Sequence, residues 1–210
     1  MLQPYGASQE LINTKIADIL EAFTTEYKKQ KKKTRWAEKT PDNIFRADFI
    51  NTLYPDCQFI NVIRDGRDVV CSYKKRWGRL TLFKAISTWN NAIELTYKYR
   101  TQFPKERYLE VHYEELVSNP EKVTKEMMNF LNEKWIEQLL SHQKTKHDFW
   151  FNKEKTEPPS KLKEKRPDRH SPSKAIFTSS SGRWKKELNF YEKAIANLFM
   201  NDNLKKLGYK

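Results

Sequence analysis

The sequence predicts an α/β fold in which a parallel sheet is flanked by helices, and three observations carry that reading. Phe59–Ile63 (FINVI) and residues 107–113 (RYLEVHY) are β-branched and aromatic in character and are bounded by polar or proline-containing stretches, as buried strands are. Between them, residues 68–103 place Ile86, Trp89, Ile93 and Tyr97 at helical spacing. Strand, helices and strand in that order make a parallel crossover.

The remaining elements follow along the chain. Over residues 8–27, Ile12, Ile16, Ile19, Leu20, Phe23 and Tyr27 fall on one side of a helix, which predicts an outer helix packed on the body. The basic run at 28–35, KKQKKKTR, is expected to end it as an exposed linker; the competing reading of the run is contact with nucleic acid or membrane. After the first strand, Asp65-Gly66 forms a turn and a helix begins near Arg67 or Asp68. After the second, Asn119-Pro120 reads as an N-cap with proline at the first helical position. That helix runs through Val123, Met127, Phe130 and Leu131, and a short helix follows at 135–142. Residues 145–177 are rich in Lys and Arg and hold Pro158, Pro159, Pro167 and Pro172, which predicts a basic mobile loop. A last helix spans about 188–207 and is capped by Gly208. The expected organisation is one domain over 1–210. Within it, 1–34 form a helix and linker, 35–144 the core, 145–177 the loop, and 178–210 a closing loop and helix.

Composition removes several functions. The 210 residues carry 40 Lys+Arg against 27 Asp+Glu, a net charge of +13, so acidic partners are favoured. No apolar run approaches the roughly 18 residues of a membrane helix. The first residues lack the basic and apolar regions of a secretory signal, which predicts a cytoplasmic chain. Cys57 and Cys71, with only His142 and His147 close together among the histidines, predict a reducing compartment and no structural metal. The five glycines, Gly6, Gly66, Gly78, Gly182 and Gly208, cannot build a Walker A loop, a dinucleotide fingerprint or a Gly-x-Ser-x-Gly elbow. Any phosphate must therefore be held largely by side chains.

The segment from Phe59 to Trp77 is where such side chains gather. A strand running into a helix at a tight turn points the helix N-terminus at whatever lies above the strand end, and an anion is favoured there. Arg64 at the strand end, with Ser72 and Arg76 four apart on one helix face, can converge on that position. The same residues allow a second reading, in which Arg64 and Arg67 pair with Asp65 and Asp68 as structural ion pairs.

Four segments in order resemble the sulfotransferases that use 3′-phosphoadenosine 5′-phosphosulfate (PAPS), in particular bacterial-type and tyrosylprotein sulfotransferases. Arg64-Asp65-Gly66-Arg67-Asp68 with Ser72 looks like the family's 3′-phosphate motif, and RWAEKTPDN at 35–43 like its segment with an active-site lysine. VHYEELVSNPE at 111–121 resembles the strand and loop by the adenine, and TSSSGRWKKEL at 178–188 the loop that closes over the cofactor. With LKKLGY at 204–209, the likeness covers 35–210.

The resemblance implies a P-loop-like sulfotransferase fold with PAPS as donor and adenosine 3′,5′-bisphosphate as product. Arg64, Ser72 and Arg76 would hold the 3′-phosphate and Tyr113 would line the adenine pocket; a buried aromatic at a strand end is the other reading of Tyr113. Ser180, Gly182, Arg183 and Lys185 would supply backbone and cationic contacts, with Trp184 packing the loop down, against the alternative of a solvated helix start. Lys39 would stabilise charge on the sulfuryl group as it transfers, or else be an ordinary surface lysine. Glu38 enters as general base by adjacency alone, or pairs with a nearby lysine.

The family's Pro-x-Ser-Gly-Thr-Thr-like loop for the 5′-phosphosulfate has no counterpart here, so the expectation is an N-terminally truncated form of the fold, the other reading being an unusual variant that binds its cofactor by the 3′ side alone. The acceptor expected is a hydroxyl of a glycan or peptide tyrosine, acidic in character, with no specific nucleic acid. A noncatalytic 3′-phosphonucleotide-binding scaffold and a basic polyanion-binding module are the alternatives.

Overall fold

The structure, a computed structural model, describes residues 6–144 and 176–210. The basic loop read at 145–177 therefore lies outside the described residues except for 176 and 177, as does His147.

Two strands, β1 (Phe59–Ile63) and β2 (Tyr108–His112), pair in parallel, with Phe59 opposite Tyr108 and Ile63 opposite His112. The crossover between them is α3 (Gly66–Trp77), a short 3₁₀ turn at Arg79–Thr81, and α4 (Leu82–Gln102). Ahead of this unit lie α1 (Gln9–Lys31), a 3₁₀ turn at Pro41–Arg46 and α2 (Ala47–Leu53). After it come α5 (Tyr113–Ser118), α6 (Pro120–Phe130), a 3₁₀ segment at Glu137–Lys144, α7 (Trp184–Glu187) and α8 (Phe190–Lys206). The predicted class is observed: a parallel sheet, two-stranded among the described residues, with helices around it.

The main core joins β1, α3, α4 and α8 through Ile63, Val70, Ile86, Trp89, Ile93, Ala196 and Met200. Burying each large side chain of this set contributes about 1.5–3 kcal/mol. Trp89 also does something more specific, because its indole N–H donates to the Arg64 carbonyl at 3.0 Å and so ties the core to the end of β1. A second cluster stacks Phe103 between Phe59 and Tyr99, with ring centroids 5.0 and 5.2 Å apart.

Local chemistry moves several element boundaries. α3 begins at Gly66, ahead of Arg67, because the Asp65 carboxylate accepts the Arg67 N–H at 2.8 Å and caps the helix. α8 begins at Phe190 because Asn189 and Glu192 form a reciprocal capping box. Pro120 does open α6, but the Asn119 side chain donates to Ser118 and makes no capping bond. The predicted helix at 135–142 is a kinked 3₁₀ segment that starts and ends two residues later.

Two expectations for the N-terminal helix are corrected. The basic run does not end it at residue 28: α1 continues to Lys31, since lysine is a good helix former and its charge suits the negative helix end. The chain leaves the helix at Lys32, in the left-handed region at φ 52°. The apolar side is packed only in part: α1 touches α2, and Ile12 and Ile16 are half-buried. No residue of α1 is buried, and Ile19 and Phe23 are 60% and 67% exposed. Among the described residues no helix is long and apolar enough to cross a membrane.

Glu192 joins the capping box to α3, since it also takes the Lys74 ammonium at 2.5 Å. Burial works against its charge, but Lys74 and the Asn189 N–H hold the carboxyl below its ordinary value. The resulting stability is present above the unfolded-state value, about pH 4.3, and is lost as the pH falls through the lower folded-state value. Glu192→Gln is therefore expected to lower the urea midpoint at pH 7, with the gap from wild type closing below about pH 4. A gap that stays constant from neutral to acid pH would exclude the charge as its source.

Candidate functional site

The parallel register places the C-terminal ends of β1 and β2 side by side, so Arg64 and Tyr113, the residues immediately beyond Ile63 and His112, emerge together. The Arg64 guanidinium lies over the Tyr113 ring, 4.6 Å from its centroid. The loop at 178–185 covers both. Arg64 Nη2 donates to the Ser180 carbonyl, and the Tyr113 hydroxyl is hydrogen-bonded to Ser180 Oγ at 2.6 Å. Ser180 is itself buried.

Asp68, fully buried in the first turn of α3, binds the next part of that loop. Its carboxylate accepts the Gly182 N–H at 2.7 Å and the Trp184 N–H at 2.9 Å, and its Oδ2 lies 3.7 Å from Arg64 Nη2. Gly182 sits at φ +69°, a left-handed conformation that glycine adopts without strain. Between these two contacts Arg183 turns inward, and its Nη2 donates to Ser72 Oγ at 2.5 Å and to the Asp68 carbonyl at 3.3 Å.

The turn itself is braced from the other side. Asp65 and Arg67 form a buried bidentate pair at 2.8 and 3.0 Å, and the Arg67 guanidinium lies 3.8 Å over the Trp184 ring. The ion-pair reading of these arginines thus holds fully for Arg67. Glu114 accepts the Asp65 N–H at 3.0 Å and the Tyr209 hydroxyl at 2.9 Å. Burial, reinforced by the Glu114 charge, pushes the Tyr209 phenol far above its ordinary value and keeps it a proton donor. A cavity of about 290 Å³ opens here, bordered by Asp65, Arg67, Glu114, Gly182, Trp184 and Tyr209.

Two buried atoms of the cluster lack hydrogen-bond partners: Nε of Arg64 and Nε of Arg183. Arg183 Nε has only a long ion pair, 3.9 Å from Glu187. A buried N–H without an acceptor is costly, and for a charged group more so. An anion with several oxygens, such as a phosphate ester, is the kind of ligand that satisfies two such guanidiniums at once.

A profile described as the sulfotransferase family matches residues 5–137. This chain belongs to the sulfotransferase family. Protein-tyrosine sulfotransferase of Drosophila melanogaster is 30% identical over 149 residues, covering 68% of this chain and 29% of that protein. Protein-tyrosine sulfotransferase 2 of Gallus gallus is 31% identical over 111 residues, covering 50% of this chain and 30% of that protein. The chain thus spans about three tenths of the length of these two curated relatives. Among solved structures, the sulfotransferase domain from the Synechococcus PCC 7002 olefin synthase superposes with a TM-score of 0.67 at 21% identity, covering 93% of this chain and 64% of that one. The family's fold is therefore present across most of this chain.

Within this family member the structure gathers Arg64, Ser72, Tyr113, Ser180, Gly182, Arg183 and Trp184 into one set of mutual contacts. Arg76 stands apart from it: exposed, it stacks on Trp77 at 4.6 Å, which corrects the convergence expected from its spacing to Ser72. Lys185 is exposed beside Trp184, 5.8 Å from its ring. Lys39 is exposed and makes no hydrogen bond or ion pair among the described residues. Glu38 does not pair with a lysine; it accepts from Thr40 Oγ1 and Asn43 Nδ2 in its own loop. Sequence reasoning missed Asp68 as a loop anchor and Glu114 as a brace. The second had a signal, since Glu114 follows Tyr113 within the segment that resembles the family.

Proposed function

We propose that the chain binds PAPS by its 3′-phosphoadenosine end and transfers the sulfuryl group to a tyrosine hydroxyl of an acidic peptide. The observation that carries the reading is the cluster at the β1–α3 turn, where two half-buried guanidiniums have buried, unpartnered Nε atoms, while through their Nη2 atoms Arg183 meets the Ser72 hydroxyl and Arg64 the Ser180 carbonyl of the docked loop. PAPS supplies the sulfuryl group and a phosphate leaving group. The chain's own part is to grip and to stabilise. Arg64, Ser72 and Arg183 hold the 3′-phosphate, Tyr113 lies by the adenine, and Trp184 keeps the loop in place. The exposed Lys39 ammonium, free of internal partners, is available to meet the charge that builds on the sulfuryl oxygens. Glu38, engaged by Thr40 and Asn43, shapes the loop that carries Lys39. The tyrosine acceptor rests on the names of the relatives, and the charge of +13 suits an acidic peptide.

Calorimetric titration with adenosine 3′,5′-bisphosphate, against 5′-AMP at the same salt, tests the site. A clear preference for the bisphosphate is expected, and equal affinities would overturn it. Lys39→Ala is expected to leave bisphosphate affinity unchanged while lowering turnover of a tyrosine peptide about a hundredfold, the scale of one lost charge-stabilising donor. Unaltered turnover would remove Lys39 from the chemistry.

A further inference from the structure

We propose that Asp68 is a positioning residue: it latches the loop at 178–185 onto the β1–α3 turn before any ligand arrives, and so sets how slowly a bound 3′-phosphonucleotide leaves. The nature of the ligand rests on the sulfotransferase reading; the latch itself does not. A wholly buried carboxylate is tolerated only where fixed donors and countercharge replace water. For Asp68 the close donors are the loop's own amides, Gly182 N–H on Oδ2 and Trp184 N–H on Oδ1, with Arg64 farther off at 3.7 Å. Burying Asp68 and docking the loop are therefore one event. When the loop lifts, the carboxylate keeps Arg64 and loses both amides.

The two anchored amides flank Arg183, so the same latch fixes the guanidinium that reaches Ser72. It also places the Ser180 carbonyl against Arg64 and the Ser180 hydroxyl against Tyr113. An acid in the first turn of a helix has an ordinary explanation in the helix dipole, but that role is served in solvent and needs no partner. Asp68 has no exposed surface, and each of its oxygens meets an amide of the loop.

The test combines backbone amide exchange without nucleotide with stopped-flow release of a fluorescent adenosine 3′,5′-bisphosphate. In Asp68→Asn one oxygen still accepts an N–H, while the new amide faces the other donor. Protection at Gly182 and Trp184 is expected to fall and nucleotide release to quicken about tenfold, the scale of one charge-assisted contact. Exchange at Ile86 and Ile93 in α4 is expected to stay as in wild type. Loop amides that keep wild-type protection would overturn the latch. So would protection lost equally in α4, since Asp68 would then be a general core group. Should Asp68→Asn fail to fold, Gly182→Ala perturbs the latch from the loop side, where a Cβ meets open space but the backbone is strained at φ +69°. It is expected to produce the same faster release, and release at the wild-type rate would overturn the proposal. Failure of wild type to bind the nucleotide would remove the sulfotransferase site reading alone, and the exchange comparison would still decide the latch.

Discussion

Replacing Arg64 by alanine lowers the affinity for adenosine 3′,5′-bisphosphate by about ten- to a hundredfold and leaves 5′-AMP binding nearly unchanged. The size follows from a charge-assisted hydrogen bond, about 1.5–3 kcal/mol, and the selectivity from its being spent on the 3′-phosphate alone. Three contacts go with the side chain: the cation over Tyr113, the donor to the Ser180 carbonyl, and the countercharge to Asp68. Lysine restores the charge but not the planar fork, so Arg64→Lys is expected to recover only part of the affinity. Titration at fixed salt, with a urea unfolding curve for each variant, separates loss of the site from loss of the fold. Equal bisphosphate affinity in wild type and Arg64→Ala would show that the phosphate site lies elsewhere.

A single methyl group at residue 66 is expected to act on fold and site together. A Cβ built on Gly66 falls 2.1 Å from Met200 Cε and 2.6 Å from the Trp89 ring. Methionine can swing away, but the indole is held in the core with its N–H on the Arg64 carbonyl. Gly66→Ala must therefore push α3 away from α4 or break that hydrogen bond, and overpacking of this kind costs about 1–3 kcal/mol or more. We expect a lower urea midpoint together with weaker bisphosphate binding, because Arg64 moves when its carbonyl does. Adding Met200→Ala relieves the closest contact and is expected to return part of the stability. A Gly66→Ala chain as stable as wild type would mean that the turn is not packed as closely as described.

The strands, the crossover and most of the site are legible in the sequence because their signals are local. FINVI announces a strand by composition, although of its five residues only Ile63 is buried and Val62 is 47% exposed, while Ile86, Trp89 and Ile93 announce a buried helix face by spacing. What escapes is whatever depends on a partner distant in sequence. Asp68 looks like any first-turn acid until Gly182, 114 residues later, brings its amide to it. Arg76 shares a helix face with Ser72, yet a long exposed side chain is free to choose a nearer aromatic and stacks on Trp77. In α1 the periodicity identifies the apolar side of the helix, but no periodicity can say whether something lies against it; here Phe23 remains open to solvent. Helix starts shift for a third reason, since caps such as Asp65 and Asn189 act from outside the apolar pattern.

The ladder between β1 and β2 works as a ruler for anyone rebuilding this protein. Ile63 and His112 are paired across it, so the next residue on each strand leaves the sheet at the same height, and Arg64 meets Tyr113 without help from any connecting segment. Connections at the opposite end, such as the turn where the Arg107 N–H reaches the Pro104 carbonyl, can be exchanged or lengthened without disturbing that meeting. One residue inserted between Ile63 and Arg64 is a different matter, because strand side chains alternate faces and Arg64 would turn away from the ring. Tolerance to grafting in this scaffold is thus divided by the two ends of a five-residue ladder, one end adaptable and the other fixed in length.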